Sequence, residues 1–370
     1  METQTETDLA ENSVENPIEH PVEFHGTAKE YFGIWIVNVL LSIVTLGIYG
    51  AWAKVRDKKY FYGNTFIDDQ NFDYHASGKQ IFIGRLIVFG ALLALSASQF
   101  VSIALYVVLF LVLIILLPWI ICRALLFNAR VTSYRNVRFD FDGKYGGAFV
   151  SYFLLPFVSA FTAYFLSPVV TQNQQEFTIR NHKYGNRAFG FRSDVGPYFK
   201  AYFIAFGMGF VLLILVSFLT FGALAGGNAL SQLANLDTSD PEAIARYYIA
   251  FFAIYVAFFI GIVPAFLFYR ARIRNLAYNN ATLDERHRFR SEVRARDYIG
   301  IALSNAVIVL LTIGFMMPWA RVRMARYLAS KTTLIAGGPL DVYSGEVEDD
   351  VGVASSEYFD MEGFDIGIGI

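Results

Sequence analysis

Few residues in this chain have the types and spacing that catalysis requires. The five histidines, His20, His25, His75, His182 and His287, lie scattered outside the apolar blocks without metal-ligand spacing. The sequence holds no Walker A loop, no His-Glu-x-x-His and no Gly-x-Ser-x-Gly. Two carboxylates stand side by side at Asp68-Asp69, a loop arrangement that is more often solvated than catalytic. The single cysteine, Cys122, sits in an apolar block and reads as structural. The expectation is a protein that is not an enzyme and has neither metal site nor cofactor.

Polar groups inside apolar blocks are costly in lipid, so they carry more weight. Asn38 and Asn305 are the candidate intramembrane polar site. They could line a site between repeat units, or they could hydrogen-bond between helices for assembly. Arg85, six residues into an apolar block, could snorkel to the interface or bind an anion. Basic clusters follow several blocks: Lys54 and Arg56, then Arg270, Arg272 and Arg274, then Arg321 and Arg323. Such clusters set topology and attract anionic lipid head groups. Anionic membrane lipids are therefore the expected partners. Nucleic acid is not, because these bases lie at membrane depth.

The elements that position these residues are hydrophobic segments. The chain of 370 residues is 55% hydrophobic and 17% charged, with a mean hydropathy of +0.42. A soluble domain carries about 25% charged residues. Seven blocks have the length of membrane helices: Tyr31–Trp52, Gln80–Ser98, Val101–Cys122, Gly147–Val170, Tyr198–Leu224, Tyr247–Tyr269 and Tyr298–Ala320. In lipid the backbone must satisfy itself, so each reads as a helix. The fold class expected is an all-α polytopic membrane protein with about seven hydrophobic helices in internal repeats and short strand-like segments in the basic loops.

The net charge of −2 conceals a segregation. Residues 1–30 hold eight acids and one base, and residues 332–370 hold nine acids and no Lys or Arg. This gives an acidic N-terminal tail over 1–30, a basic membrane domain over 31–331 and an acidic C-terminal tail over 332–370. Both tails read as solvated, disordered ends; the alternative is that they dock on the basic loops. Met1–His20 has neither a basic start nor an apolar stretch, so the first hydrophobic helix is expected to serve as the membrane signal.

An internal repeat shapes the architecture. Tyr31–Phe61 aligns without gaps to Tyr298–Leu328, sharing Asn38/Asn305, Thr45/Thr312, Gly47/Gly314, Trp52/Trp319 and Arg56/Arg323 among others. A second recurrence, Tyr-x-Asn at 62–64, 134–136, 184–186 and 278–280, follows hydrophobic helices. Several copies lead into alternating runs such as Val137–Asp142, whose period of two suggests strands. Topology stays open between two readings. Length favours seven crossings. The distribution of basic loops, and the Thr-x-Gly breaks within the first and seventh blocks, fit re-entrant first, fourth and seventh blocks.

The run Tyr31-Phe32-Gly33-Ile34-Trp35, then Thr45-Leu46-Gly47-Ile48-Tyr49, Trp52-Ala53-Lys54-Val55-Arg56 and Tyr60-Phe61-Tyr62-Gly63-Asn64-Thr65 resembles the YjgN-like family of bacterial inner-membrane proteins. The resemblance extends over most of the chain, including the second copy and the ending Gly363-Phe364-Asp365-Ile366-Gly367. It implies a bacterial inner-membrane location and no established activity, and no catalytic residue comes with it. The functional expectation is a multi-pass protein that transports or conducts a small solute or ion. The alternative is a non-transporting scaffold that binds anionic lipids or partner proteins.

Overall fold

The computed structural model describes residues 17–225 and 241–355. The chain divides into two compact units, Met1–Ser193 with Leu276–Glu292 and Asn305–Ile370, and Asp194–Asn275 with Val293–Ser304.

The first unit contradicts an all-α class, because it contains a closed antiparallel barrel of ten short strands in the order β1-β10-β9-β8-β7-β6-β5-β4-β3-β2. The strands are β1 (Ile18–Phe24), β2 (Thr65–Ile67), β3 (Gln70–Tyr74), β4 (Thr132–Tyr134), β5 (Val137–Phe141), β6 (His182–Tyr184), β7 (Arg187–Phe191), β8 (Ala281–Leu283), β9 (His287–Ser291) and β10 (Thr332–Ala336). Pairing of β1 with both β10 and β2 closes the ring. At about 3.3 Å per residue, five-residue strands reach roughly half of a hydrocarbon core. The barrel is therefore no transmembrane β-barrel, and embedding rests on helices.

Hairpins and helical excursions alternate round the ring. Tight turns at Asp68-Asp69 and Arg135-Asn136 have both central residues at positive φ, the geometry whose twist suits a two-residue hairpin. At the other end of the strands, each excursion is closed by the same backbone bond. These are His25 N to Asn64 O (3.0 Å), His75 N to Val131 O (2.7 Å), Asp142 N to Asn181 O (3.0 Å), Arg192 N to Asn280 O (3.3 Å) and Glu292 N to Lys331 O (2.9 Å). The Tyr-x-Asn copies occupy two kinds of place. Those at 134–136 and 184–186 enter hairpin turns, whereas those at 62–64 and 278–280 end helices. Asn64 and Asn280 there turn their amides back onto the carbonyls of Tyr60 and Leu276 at 2.8 and 2.7 Å.

Alternation along the strands fills the barrel. Ile67, Tyr134, Tyr184, Leu283 and Leu334 point inward, with Val22, Phe72, Phe139, Phe189 and Phe289 packed against them.

The helices are α1 (Ala28–Val44), α2 (Gly50–Gly63), α3 (Gly78–Val101), α4 (Ile103–Arg130), α5 (Tyr145–Phe149), α6 (Leu155–Phe161), α7 (Ser167–Arg180), α8 (Gly196–Ala225), α9 (Pro241–Asn279), α10 (Ala295–Leu311), α11 (Met317–Ala329) and α12 (Leu340–Ser355). A π-helical turn, Val150–Leu154, joins α5 to α6.

About seven spans is also too many. Among the described residues three helices are long and apolar enough to cross a membrane: Gly78–Val101, Ile103–Arg130 and Gly196–Phe218. The first and seventh expected blocks turn back part-way. Leu46 and Gly47 take φ of 50° and 89°, and Ile313 and Gly314 take 49° and 90°. Thr45 and Thr312 hold these turns. Each hydroxyl donates to the carbonyl four residues back, at 2.7 Å in both, and accepts from the amide four residues on. The fourth block breaks likewise at Ala163-Tyr164, with φ of 47° and 64°. At 1.5 Å per residue the 17 residues of α1 or α10 rise about 25 Å, short of a full crossing. The sixth block, Tyr247–Tyr269, lies within α9.

Both acidic ends contribute to the barrel. β1 comes from the N-terminal tail, β10 and α12 from the C-terminal one, and residues 1–16 and 356–370 lie outside the described residues. In the second unit, Gly261 lets α9 approach the backbone of α8 at Leu213, and Gly209 meets Ala265. Small residues permit this close helix packing in lipid.

Candidate functional site

Asn38 and Asn305 are both buried, and each braces its own broken helix pair. The Asn38 amide nitrogen donates to Ala53 O (3.4 Å) and Asp57 Oδ1 (3.1 Å), and its oxygen accepts from Arg56 (3.1 Å). Asn305 donates to Ala320 O and accepts from Arg323, both at 2.9 Å. Residues assigned separately to a polar site and to a basic cluster thus meet as Asn–Arg pairs. Neither asparagine lines either of the cavities described below.

The other basic residues divide by environment. Arg321 ties α11 to the α1–α2 pair. It bonds the Tyr31 hydroxyl and Asp57 Oδ2 (2.8 Å), and lies over the rings of Tyr31 and Phe61. Burial raises the Tyr31 pKa, with Arg321 opposing it. Lys54 is half-buried. Arg270 and Arg272 lie over Phe266 and Phe268, one helical turn back, and Arg274 is half-buried on the same helix.

A chamber larger than the barrel cavity lies elsewhere. It has a volume of about 650 Å³ and is bounded by α7, the end of α9, and the barrel residues Phe139, Phe189 and Phe289. Polar groups enter it from α7, notably Thr171, Gln174, Gln175, Thr178 and His182 just beyond. The π-helical turn sets Tyr152 against this face, where its hydroxyl shares a 2.7 Å hydrogen bond with Thr178. Asn173 and Gln174 hold α7 to the same turn through the Ser151 hydroxyl (2.7 Å) and carbonyl (3.1 Å). His182 Nδ1–H donates to the Thr178 carbonyl at 2.6 Å. Burial lowers the His182 pKa, against the raising effect of that bond. The chamber offers a mixed wall, aromatic on one side and uncharged polar on the other, suited to an amphipathic molecule.

A second cavity, of about 140 Å³, occupies the barrel interior. It shares Phe139, Phe189 and Phe289 with the chamber, so these rings stand between the two. Its far side is covered by Leu340, Tyr343 and Ser344 of α12. The cover is latched at a hairpin. Arg135, nearly buried, bonds Asp68 (2.5 Å) and Asp341 of α12, and His20 Nδ1 meets Asp68 at 3.0 Å. The buried His287 ring packs on Tyr343 with centroids 4.3 Å apart. Among the described residues, no hydrogen-bond partner meets either His287 ring nitrogen.

None of the chamber residues stands out in the sequence as functional. Their signal is the polar run Thr171–Glu176 immediately after an apolar block.

The profile of a family described as bacterial protein of unknown function (DUF898) matches residues 19–361. The chain belongs to this family. It is similar to inner membrane protein YjgN of Salmonella typhimurium, 27% identical over 343 residues, covering 84% of this chain and 87% of that protein. It is also similar to inner membrane protein YjgN of Escherichia coli K12, 26% identical over 354 residues, covering 86% and 88%. No solved structure matches. This DUF898 member is an inner-membrane protein, in keeping with the three candidate spans among its described residues.

Proposed function

We propose that this DUF898 protein is a multi-pass transporter that takes a small amphipathic molecule from the membrane into the α7 chamber and passes it toward the barrel interior. One observation carries the reading. Chamber and barrel cavity meet at the same three rings, Phe139, Phe189 and Phe289. An apolar ring of this kind disfavours a bare ion, which would shed its hydration without replacement. It suits a molecule with an apolar body whose polar end the α7 side chains hold.

Basic residues cluster at the junctions between helices and strands, and bases mark the cytoplasmic side. That supports a cytoplasmic barrel, with the broken pairs α1–α2 and α10–α11 as the internal repeat, entering and leaving on that side.

The test is native mass spectrometry of the purified protein followed by flux in proteoliposomes. A co-purifying amphiphile should be lost in the double variant Gln174→Leu/Thr178→Val. Phe189→Ala should raise its flux. Retention of the same molecule by the double variant, with unchanged flux in Phe189→Ala, would refute the reading.

A further inference from the structure

A second site, remote from the chamber, lies where α2 packs on α3. The indole of Trp52 covers Gly78, where any Cβ would collide with it, and it lies 5.7 Å from the Phe82 ring. Ala51 and Ile81 are wholly buried in the same cluster. This packing fixes the register of the two helices. It places Nη1 of Arg85, one turn beyond Ile81, only 3.2 Å from where Gly50 would carry a Cβ. Lys54 follows Gly50 by four residues and Lys58 by eight, so the three positions share one face of α2.

Three cations therefore gather on one strip. Lys58 is tied down, donating to Asn128 Oδ1 at 3.0 Å and lying over the Tyr74 ring at 5.1 Å. Lys54 and Arg85 have no carboxylate partner among the described residues. The nearby Asp57 is engaged with Asn38 and Arg321 instead. The Lys54 pKa is lowered by burial and by the charge of Arg85, and that of Lys58 by burial and by Lys54. Such mutual repulsion is relieved by an anion. Arg85 also belongs to a candidate membrane span, where an uncompensated charge is costly. Its neighbours Ile83, Leu86, Ile87 and Phe89 are exposed apolar side chains, a surface for acyl chains.

We propose that Lys54 and Arg85 form a binding site for a phosphate group, that of an anionic phospholipid whose acyl chains lie along α3. The guanidinium fork matches two phosphate oxygens and the ammonium adds a point charge. Apolar surroundings favour a lipid over free phosphate, and the two sources separate in the experiment.

The full-length protein, purified in detergent, is titrated with phosphatidylglycerol, with zwitterionic phosphatidylcholine, and with inorganic phosphate, and adducts are read by native mass spectrometry. The wild type should hold phosphatidylglycerol more tightly than phosphatidylcholine. Lys54→Gln/Arg85→Gln should weaken it at least about tenfold, the worth of one charge-assisted hydrogen bond. Arg138→Gln, an exposed cation on the barrel, should leave it unchanged. Inorganic phosphate that displaces the lipid and binds as tightly by itself would retain the phosphate site but overturn the lipid as its source. Equal phosphatidylglycerol affinity in wild type and the double variant would overturn the site. Should the double variant not fold, Arg85→Gln alone carries the same test, and the charge-retaining Lys54→Arg/Arg85→Lys should keep the lipid.

Discussion

Arg323 donates a hydrogen bond to Oδ1 of Asn305 at 2.9 Å, across the two arms of a helix that turns back at Gly314. The same amide group donates to Ala320 O at 2.9 Å, so both its ends are engaged within one helix pair. Asn38 stands in the corresponding relation to Arg56 and Ala53. These bonds hold the arms together. Asn305→Leu should therefore destabilise the protein by about 1–3 kcal/mol, the cost of leaving buried partners unmet. Asn38→Leu should do the same through Asp57. Thermal unfolding of the detergent-solubilised protein measures it. Unchanged stability in both variants would rule out the bracing role.

Gly47 and Gly314 hold φ near +90° at the tips of the same two pairs. No atom lies within 4 Å of a Cβ built on either, so a side chain there would meet strain but no clash. Gly314→Ala and Gly47→Ala should each cost about 1–2 kcal/mol from backbone conformation alone. Gly300→Ala, also in open space but within α10 and without positive φ, should be neutral or slightly stabilising. An equal loss in all three variants would show that the turn geometry is not the cause.

These turns show what the sequence made readable. Thr-x-Gly in two corresponding places signals an interruption, and the mirrored Asn38 and Asn305 signal a shared structural need. That Asn38 binds Arg56 does not show in the sequence, because eighteen residues separate them and a break alone does not say which side chains meet across it. The barrel was less legible still. Thr65-Phe66-Ile67 is too short to display a period. Pairing of Ile18 with Ala336 joins opposite ends of the chain, and no local pattern encodes such a contact. The chamber is illegible in the sequence because Gln174 and Thr178 acquire their meaning only from the phenylalanines of distant strands.

Close approach of the helices in the second unit depends on Gly261, where an added Cβ would lie 3.2 Å from both the Cα and the amide nitrogen of Leu213. A larger side chain must push α8 and α9 apart. Gly261→Val should destabilise this pair by about 1–3 kcal/mol, the usual cost of overpacking. Gly207→Ala, facing open space on α8, should be neutral or better. Cross-linking between cysteines introduced at 209 and 265 reads the spacing directly. Equal cross-linking in wild type and Gly261→Val backgrounds would contradict the close packing.

The α12 cover should respond to pH through His287. Burial holds its pKa below the ordinary imidazole value of 6.5, an effect that Asp284 opposes and Arg286 and His20 reinforce. The sign follows from linkage. With α12 in place the ring stays neutral, whereas in a released or unfolded state it takes up a proton near 6.5. The open state then binds more protons, so docking is at full strength above pH 6.5 and weakens as the pH falls below it. Amide exchange in Leu340–Val347, corrected for its intrinsic pH dependence, should quicken below pH 6.5 in the wild type. His287→Leu, which keeps an apolar group against Tyr343, should flatten that response. Arg135→Ala should quicken exchange at every pH, because it breaks the bond to Asp341 without touching the titrating ring. A wild-type profile as flat as that of His287→Leu would exclude His287 as the source of the response.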